Sequence, residues 1–318
     1  MLKRAWQSAM IGLARSPGAG RFMQTNRATS FLASKYVAGE TPAQAVKLAE
    51  ELLSSRNICG SLFYLGEYVS RVDLVAENVA NKLAVARALG ESGLDVHVSV
   101  DPTQIGQSID GELAHDNALR IAEEIRAAAG NRPGMHCLML DMEDASVVET
   151  TIALHDELRK RGLPVALTLQ ADLRRTADDM RAQVRAGSRV RLVQGAFASH
   201  SGIAYTRRND IKANFRSLIE MMLSREAKEN RFYPIFATHD DRLQQFAIDL
   251  ASRNGWKQGE YEIEMLLGVR SQLAHDLARR GERVRLYLPF GRDWWPYSVR
   301  RIGENPRNAV LLARSLVS

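Results

Sequence analysis

Residues 137–160 read CLMLDMEDASVVETTIALHDELRK, and this stretch contains one complete unit of the fold. CLML is a continuous apolar run, typical of a strand that is buried on both faces. Acidic residues follow it, and SVVE (146–149) has the Ser-x-x-Glu form of a capping box. Apolar residues then recur every three or four positions, as on an amphipathic helix. The stretch therefore predicts a strand, an acidic loop and a helix.

The same order of strand and helix recurs along the chain. The apolar, β-rich runs are SLFYLGE (61–67), VHVSVDP (96–102), CLMLDMED (137–144), PVALTLQ (164–170), VRLVQGAF (190–197), PIFATHD (234–240), YEIEMLLG (261–268) and VRLYLPFG (284–291). Eight such strands alternating with helices predict an α/β fold, a parallel sheet closed as a (βα)8 TIM-like barrel. An open doubly wound sheet is the alternative, but neither G-x-G-x-x-G nor G-x-x-x-x-G-K-[ST] occurs where that fold would place it.

The segment before the first strand differs from the repeat. Its first 39 residues are basic, with no acid before Glu40, which superficially resembles a mitochondrial presequence. A helical arm is favoured, because Thr41 is placed to cap a helix that begins PAQAVKLAEELL. The predicted division is an N-terminal helical arm over residues 1–56 and a barrel with a C-terminal helix over 57–318.

Composition excludes several classes of protein. The formal net charge is +6 at pH 7, but the arginines alternate with Asp and Glu, which indicates a solvated surface and no nucleic-acid interface. Two cysteines, Cys59 and Cys137, argue against a disulfide framework and a zinc site. No apolar run is long enough to span a membrane, so a cytoplasmic protein is expected, at most peripheral at the inner membrane.

Polar side chains end or follow the predicted strands, at the edge of the barrel where such enzymes hold their active sites. In chain order they are Glu67, Asp101, Asp141, Gln170, Gln194, Thr238, His239, Glu264 and Tyr287. Each taken alone is more often a helix cap or the partner of a surface arginine. Their accumulation at one mouth favours a functional site.

The stretch DWWPYSVRRIGEN (293–305) follows the last predicted strand. On a helix, Tyr297, Arg300, Arg301 and Glu304 share one face. The ordinary interpretation is a solvated ion pair between Arg300 and Glu304. However, the two tryptophans can anchor the helix and leave the arginine pair free to bind a carboxylate or phosphate bidentately.

Two classes of enzyme remain open at this point. One is a divalent-metal barrel with Asp101, Asp141, His239 and Glu264 as ligands. The other is a cofactor enzyme whose phosphate and substrate anion bind the arginines. A Schiff-base aldolase is disfavoured, because no Lys stands at the end of a predicted strand.

The chain also resembles a known family from about Phe31 to Asn308. The motifs that carry the resemblance are FLASKYVAGET, YLGEYVS, LMLDMEDA, LTLQADLRRT, RLVQGAF, FATHD, EIEMLLGVR, RLYLPFG and PYSVRRIGENP. They are similar to those of the FAD-dependent, monofunctional bacterial proline dehydrogenases. The resemblance implies a distorted (βα)8 barrel with FAD at its mouth and the eighth helix across it. It also implies proline catabolism: oxidation of L-proline to 1-pyrroline-5-carboxylate by hydride transfer to flavin N5, with a quinone as electron acceptor and possible peripheral membrane association.

The resemblance also implies roles for single residues and no metal. Arg300 and Arg301 resemble the pair that binds the substrate carboxylate, and Asp141 and Tyr287 resemble catalytic-site positions beside it. Leu266 and Ala196 resemble the apolar wall of the substrate pocket. The positions similar to flavin contacts are Gln170, Arg191, Val193, Gly195, Ala196, Thr238, His239 and Glu304.

Five positions depart from the family pattern. Asp101, a predicted substrate contact, stands where the family usually has a lysine that helps the arginines. Gln194 replaces another lysine, Phe197 and Asp172 each replace a tyrosine, and Glu264 stands where glutamine is frequent.

The change to Asp101 matters most, because two unit charges 4 Å apart interact by about 4 kcal/mol at intermediate dielectric. Asp101 could turn away to pair with an arginine, contact a cationic or hydroxyl group of another proline-like substrate, or leave a flavoprotein with little proline turnover. A family flavoprotein acting on a different cyclic amino acid is therefore the first alternative, and the metal barrel is the second.

Overall fold

The computed structural model describes residues 35–66, 69, 71–197 and 199–304 of the 318. The side chains of Arg300, Ile302 and Glu304 are not among the described parts. Glu67, predicted to end the first strand, also lies outside the described residues.

Eight parallel strands pair in chain order and close into a barrel, with the last strand next to the first. They are β1 (Ile58–Tyr64), β2 (His97–Val100), β3 (Cys137–Leu140), β4 (Val165–Gln170), β5 (Arg189–Val193), β6 (Tyr233–Ala237), β7 (Glu262–Leu266) and β8 (Val284–Phe290). The predicted (βα)8 architecture is confirmed. The first strand begins three residues earlier than predicted. β2, β3, β5 and β6 end before the polar residues assigned to them, whereas Glu264 lies within β7.

The helices lie outside and above the barrel. They are α1 (Pro42–Arg56), α2 (Val72–Glu91), α3 (Gly111–Ala129), α4 (Val148–Lys160), α5 (Thr176–Ala186), α6 (Arg208–Met222), α7 (Arg225–Glu229), α8 (Asp241–Arg253), α9 (Ser271–Arg279) and α10 (Trp294–Glu304). A short 3-10 turn, Pro102–Ile105, follows β2.

The helix starts show one error of the sequence analysis. The capping box predicted at Ser146 is wrong, because α4 begins at Val148 and its N-cap residue, Val147, has no side-chain group to accept a capping hydrogen bond. The Ser146 hydroxyl instead donates to Asp144 Oδ1 at 2.5 Å, so the acid that follows β3 forms its own turn. At Thr41, by contrast, the predicted cap is confirmed as a capping box with Gln44.

Buried ion pairs fill the barrel interior. Near the N-terminal ends of the strands, the Arg285 guanidinium donates to Glu262 at 2.7 and 3.0 Å and to Asp95 at 2.7 Å. Nearer the mouth, Arg191 and Glu264 form a second pair. Buried pairs of this kind contribute little net stability, but losing one partner is costly, so they fix which side chains meet.

Helix α1 belongs to the outer ring of the barrel. It packs against β1 and β8 and against α2 and α9 on either side. Its buried residues Ala45, Val46, Ala49 and Leu52 are part of the same apolar core as the strands. α1 therefore fills the ring position beside β8 that a helix following β8 takes in a regular barrel. The domain boundary after residue 56 stays a prediction.

The last helix takes a different path. The rings of Trp294 and Trp295 pack with Phe63 and Leu65 at the end of β1. Nearer the C-terminal end of α10, the charge of Arg301 lowers the pKa of His239, which follows β6. α10 therefore crosses the mouth from the β8–β1 side toward β6.

Candidate active site

The floor of the mouth is built around Asp141, the first residue after β3. Its carboxylate accepts hydrogen bonds from the Tyr287 hydroxyl at 2.8 Å and the Thr168 hydroxyl at 3.2 Å, and it pairs with Arg191. Burial and the adjacent Asp141 carboxylate raise the pKa of Tyr287 well above its usual value. Tyr287 is therefore a neutral hydrogen-bond donor, held in one orientation by Asp141.

Arg191 connects this floor to the opposite wall. Its Nε and Nη2 donate to Glu264 at 2.7 and 2.8 Å, and Nη2 also reaches the hydroxyls of Ser61 and Ser99. Burial raises the pKa of Glu264, and Arg191 opposes that rise. The glutamate found in place of the family's glutamine is therefore the bidentate partner of Arg191.

The corner of the mouth beside β2 contains Asp101, Glu143 and Lys82. Glu143 accepts hydrogen bonds from the Thr103 N–H at 2.9 Å and from its hydroxyl at 2.7 Å. The Lys82 ammonium, on α2, donates to Gln104 at 2.8 Å. Sequence reasoning missed Lys82, because helical lysines usually face solvent. The available signal was its position inside the apolar run NKLAVARAL.

Most of the predicted flavin contacts lie at or just after the ends of β4, β5 and β6. Gln170 donates to the Glu143 carbonyl at 2.7 Å, and the Val193 carbonyl accepts from Ala171 at 2.8 Å. Thr238 and His239 directly follow β6. The His239 Nε2 accepts the Leu266 N–H at 3.4 Å, and burial followed by the charges of Arg301 and Arg270 lowers the pKa of His239 to about 4. The imidazole is therefore neutral at physiological pH, with Nδ1 as its N–H donor.

Two buried polar atoms of this region fit a polar cofactor. Within the described residues, His239 Nδ1 and Asp172 Oδ1 are buried without a hydrogen-bond partner. Gly195 has a φ of +106°, and a Cβ there would lie 2.2 Å from the Asp172 carboxylate. Burial raises the pKa of Asp172 to about 6. Buried polar atoms without partners are rare, so a ligand that bonds them is expected, and the ring edge of a flavin has such groups.

The helix across the mouth brings Arg301 and Tyr297 together. The guanidinium of Arg301 lies over the Tyr297 ring, 5.2 Å from its centroid. The sequence placed Tyr297 on the polar face with the arginines, but its ring is buried in the aromatic cluster that anchors α10. The predicted roles of the Arg300 and Glu304 side chains lie outside what the structure describes.

The residues proposed as metal ligands do not gather around one point. Asp141 and Glu264 both pair with Arg191, and His239 accepts a backbone hydrogen bond. Across the described ranges, no group of three or more His, Cys, Asp or Glu side chains is arranged to hold a metal ion.

Comparisons with known proteins agree on one family. Residues 45–314 match the family model described as proline dehydrogenase. Proline dehydrogenase 1 of Bacillus subtilis (strain 168) is 31% identical over 293 residues, 90% of this chain and 90% of that protein. The proline dehydrogenase of Deinococcus radiodurans is 30% identical over 319 residues, covering 100% of this chain and 99% of that one.

Solved structures show the same fold. Proline utilization A from Bdellovibrio bacteriovorus superposes with a TM-score of 0.77 at 19% identity, over 87% of this chain and 33% of its own. The protein of that name from Corynebacterium freiburgense gives a TM-score of 0.74 at 19% identity, over 98% and 34%. The chain thus spans about a third of the length of these two proteins.

The fold and the mouth together define a (βα)8-barrel enzyme whose polar active-site floor lies beneath an arginine-bearing helix. The family match over most of the chain makes the assignment narrower. The chain belongs to the proline dehydrogenase family, the oxidoreductases that act on the CH–NH group of proline.

Proposed function

We propose that this protein oxidises L-proline to 1-pyrroline-5-carboxylate in proline catabolism, with FAD as its cofactor. The single observation that best supports the proposal is the network in which Asp141 fixes both Tyr287 and Arg191 beneath α10. This network holds Tyr287 and Arg191 in fixed orientations beneath the arginines of α10, which would supply the positive charge for a small anion. When bound, FAD supplies the hydride acceptor, and the protein supplies position and electrostatics.

The arginines of α10 would hold the substrate. Arg300 and Arg301 would bind its carboxylate, so that binding energy at this remote group orients the reacting C–H bond. Tyr287 would form the side of the pocket, because its hydroxyl is already committed to Asp141. Leu266 and Ala196 would form the apolar wall that excludes water from the ring of the substrate.

The proposed flavin site uses the ends of β4, β5 and β6. Gln170, Val193, Gly195, Ala196 and Thr238 would line the ring, and the His239 Nδ1 would donate to it. Arg191 would approach from the barrel interior, and Glu304 from α10. The absence of a side chain at Gly195 leaves room for the Asp172 carboxylate beside the proposed ring.

The test is anaerobic reduction of the purified protein. We expect a yellow protein whose flavin absorption bleaches on addition of L-proline. In Arg301→Met, bleaching should need at least tenfold more proline, because one of the two guanidinium groups is lost. Lys257→Met, at an exposed position far from the mouth, is the matched control and should bleach like the parent.

Other outcomes select the alternatives. A colourless protein would refute the flavin proposal, and activity abolished by EDTA in such a protein would support a metal enzyme. A yellow protein that bleaches with another cyclic amino acid and not with L-proline would identify a proline analogue as substrate. That alternative is favoured by one observation, the half-buried Asp101 carboxyl where the family has a lysine.

We further propose that electrons leave to a quinone at a membrane surface. Within the described residues, no helix is long and apolar enough to cross a bilayer. Exposed apolar side chains do occur at the mouth end of the barrel, namely Val72 and Leu74 at the start of α2 and Ile109 before α3. They would enter the interface between headgroups and acyl chains.

A further inference from the structure

Arg270 adopts a backbone conformation that arginine rarely takes. Its φ is +50° and its ψ is +44°, in the left-handed region, and the other non-glycine residues with positive φ in the described part of the chain are Asn57 and Arg231. Glycine adopts this region without steric cost, whereas a Cβ makes it unfavourable. Strained residues of this kind concentrate at ligand and active sites, where the surrounding structure holds them in place.

The guanidinium of Arg270 joins the segment after β7 to the loop after β6. Its Nη1 donates to the backbone carbonyl of His239 at 2.7 Å, and its Nη2 donates to the Asp241 carboxylate at 3.2 Å, at the start of α8. Leu266, the last residue of β7, makes a second contact, because its N–H donates to His239 Nε2 at 3.4 Å. Residues 266–270 therefore hold His239 both at its backbone and at its ring.

The other ring nitrogen of His239 is left for a ligand. His239 Nδ1 is buried and has no hydrogen-bond partner within the described residues. Because Nε2 accepts the Leu266 N–H, Nδ1 carries the ring proton and is a donor. The direction in which this N–H is offered depends on the orientation of the ring, which the contacts from Leu266 and Arg270 fix.

The segment that holds His239 is itself constrained from the other side. A Cβ at Gly268 would lie 2.1 Å from the carbonyl oxygen of Lys35, so the two backbones are in direct contact. Val269 packs against the aromatic cluster that anchors α10. The path of the chain is thus constrained before residue 270, and Arg270 makes the left-handed turn into α9.

We propose that Arg270 is a positioning residue of the flavin site, which holds His239 so that its Nδ1–H is oriented to donate to the flavin. The inference rests on the proposed function, because it requires flavin to bind beside His239. A hydrogen-bond donor to the flavin ring tunes its electronics, and it favours the electron-rich reduced form over the oxidised form. Arg270 thereby raises the reduction potential of the flavin through His239.

The experiment is measurement of the flavin midpoint potential in the FAD-loaded protein. Arg270→Gly removes the guanidinium and the backbone strain together, so the turn is retained while the contact with His239 is lost. We expect the potential to fall by at least about 14 mV, which for a two-electron couple is about a threefold change in the relative affinity for reduced and oxidised flavin. Arg231→Gly is the matched control, since Arg231 has the same left-handed conformation at an exposed position before β6, and the potential should not change.

Two further variants separate positioning from other roles of Arg270. Arg270→Ala loses the contact but keeps the strain, so it should unfold at a lower temperature than Arg270→Gly and show the same fall in potential. His239→Ala removes the donor itself. In that background, Arg270→Gly should change the potential by less than about half of its effect in the parent protein, because Arg270 acts through His239.

Specific results would overturn the proposal. A parent-like potential in Arg270→Gly would mean that the guanidinium contact does not position His239. An equal fall with and without His239 would mean that the charge of Arg270 acts on the flavin directly. If His239→Ala does not bind FAD, salt decides, because the direct effect of an exposed charge is screened at high salt and a fall that persists there supports positioning. A colourless parent protein would instead indicate failure of the proposed function.

Discussion

At the residue scale, Glu264 illustrates how one departure from a family pattern becomes part of a network. Its carboxylate binds Arg191 through two hydrogen bonds, and both side chains are nearly fully buried. A glutamine can accept only one of the two bonds and carries no charge. Arg191 would then retain Asp141 as its only charged partner inside the barrel among the described residues.

We expect Glu264→Gln to lower the free energy of unfolding by roughly 3 kcal/mol, because a buried cation loses one partner. Chemical denaturation followed by circular dichroism measures it. Glu260→Gln breaks the half-exposed pair with Lys228 and should change stability by no more than about 0.5 kcal/mol. Equal effects of the two substitutions would mean that Arg191 is compensated elsewhere.

The sequence allowed these residues to be found but not their partners. Asp141, Tyr287 and Glu264 were recognised because they end or follow strands, and the structure brings all three to Arg191, directly or through Asp141. Their mutual bonds depend on the radius and stagger of the closed barrel, which local periodicity does not contain. Lys82 was missed for a related reason, since its burial depends on the turn after β2 that covers it.

At the scale of elements, α1 takes the ring position that chain order would give to α10, and α10 crosses the mouth instead. Periodicity showed that each has an apolar side, but it does not show against which surface that side packs. Strand positions were predicted well because eight apolar runs are unmistakable. Strand ends were placed too late, because polar residues that follow a strand continue its alternating pattern for two or three residues.

The place of α1 leads to a test of whether the arm folds with the barrel. Ala45 is fully buried against the barrel core, whereas Lys47 on the same helix is exposed. We expect Ala45→Glu to cost at least about 3 kcal/mol of unfolding free energy, because an unpaired charge enters the core. Lys47→Glu should cost no more than about 0.5 kcal/mol.

Thermal or chemical unfolding of the two variants measures the difference. A cooperative loss of barrel structure in Ala45→Glu would show that α1 is part of the barrel's folding unit. Unchanged barrel unfolding in that variant would instead support an independent arm over residues 1–56.

At the scale of the whole molecule, the two ends of the barrel differ in character. The mouth end exposes Val72, Leu74 and Ile109. The opposite end has an open pocket of about 520 Å³ whose lining includes Asp95, Glu282 and Arg283. With a net charge of +6, the molecule should approach an anionic bilayer and dock through the mouth end.

We therefore expect the protein to sediment with vesicles that contain anionic lipids, and increasingly less so as salt is added. The double substitution Val72→Ser and Leu74→Ser should reduce binding at least tenfold, because two apolar side chains no longer enter the interface. Leu53→Ser, at the opposite end of the barrel, is the control and should bind like the parent. Equal loss in both variants would contradict docking through the mouth.

The ring position of α1 also bears on how such an enzyme can diversify. Because α1 completes the outer ring, the chain after β8 is released from supporting the barrel and leaves it at Gly291, whose φ is +131°. Helix α10 is thus not needed to complete the ring of helices around the barrel. Substitutions in that single helix can therefore alter which small molecules enter the mouth, while the pairing of the strands below stays intact.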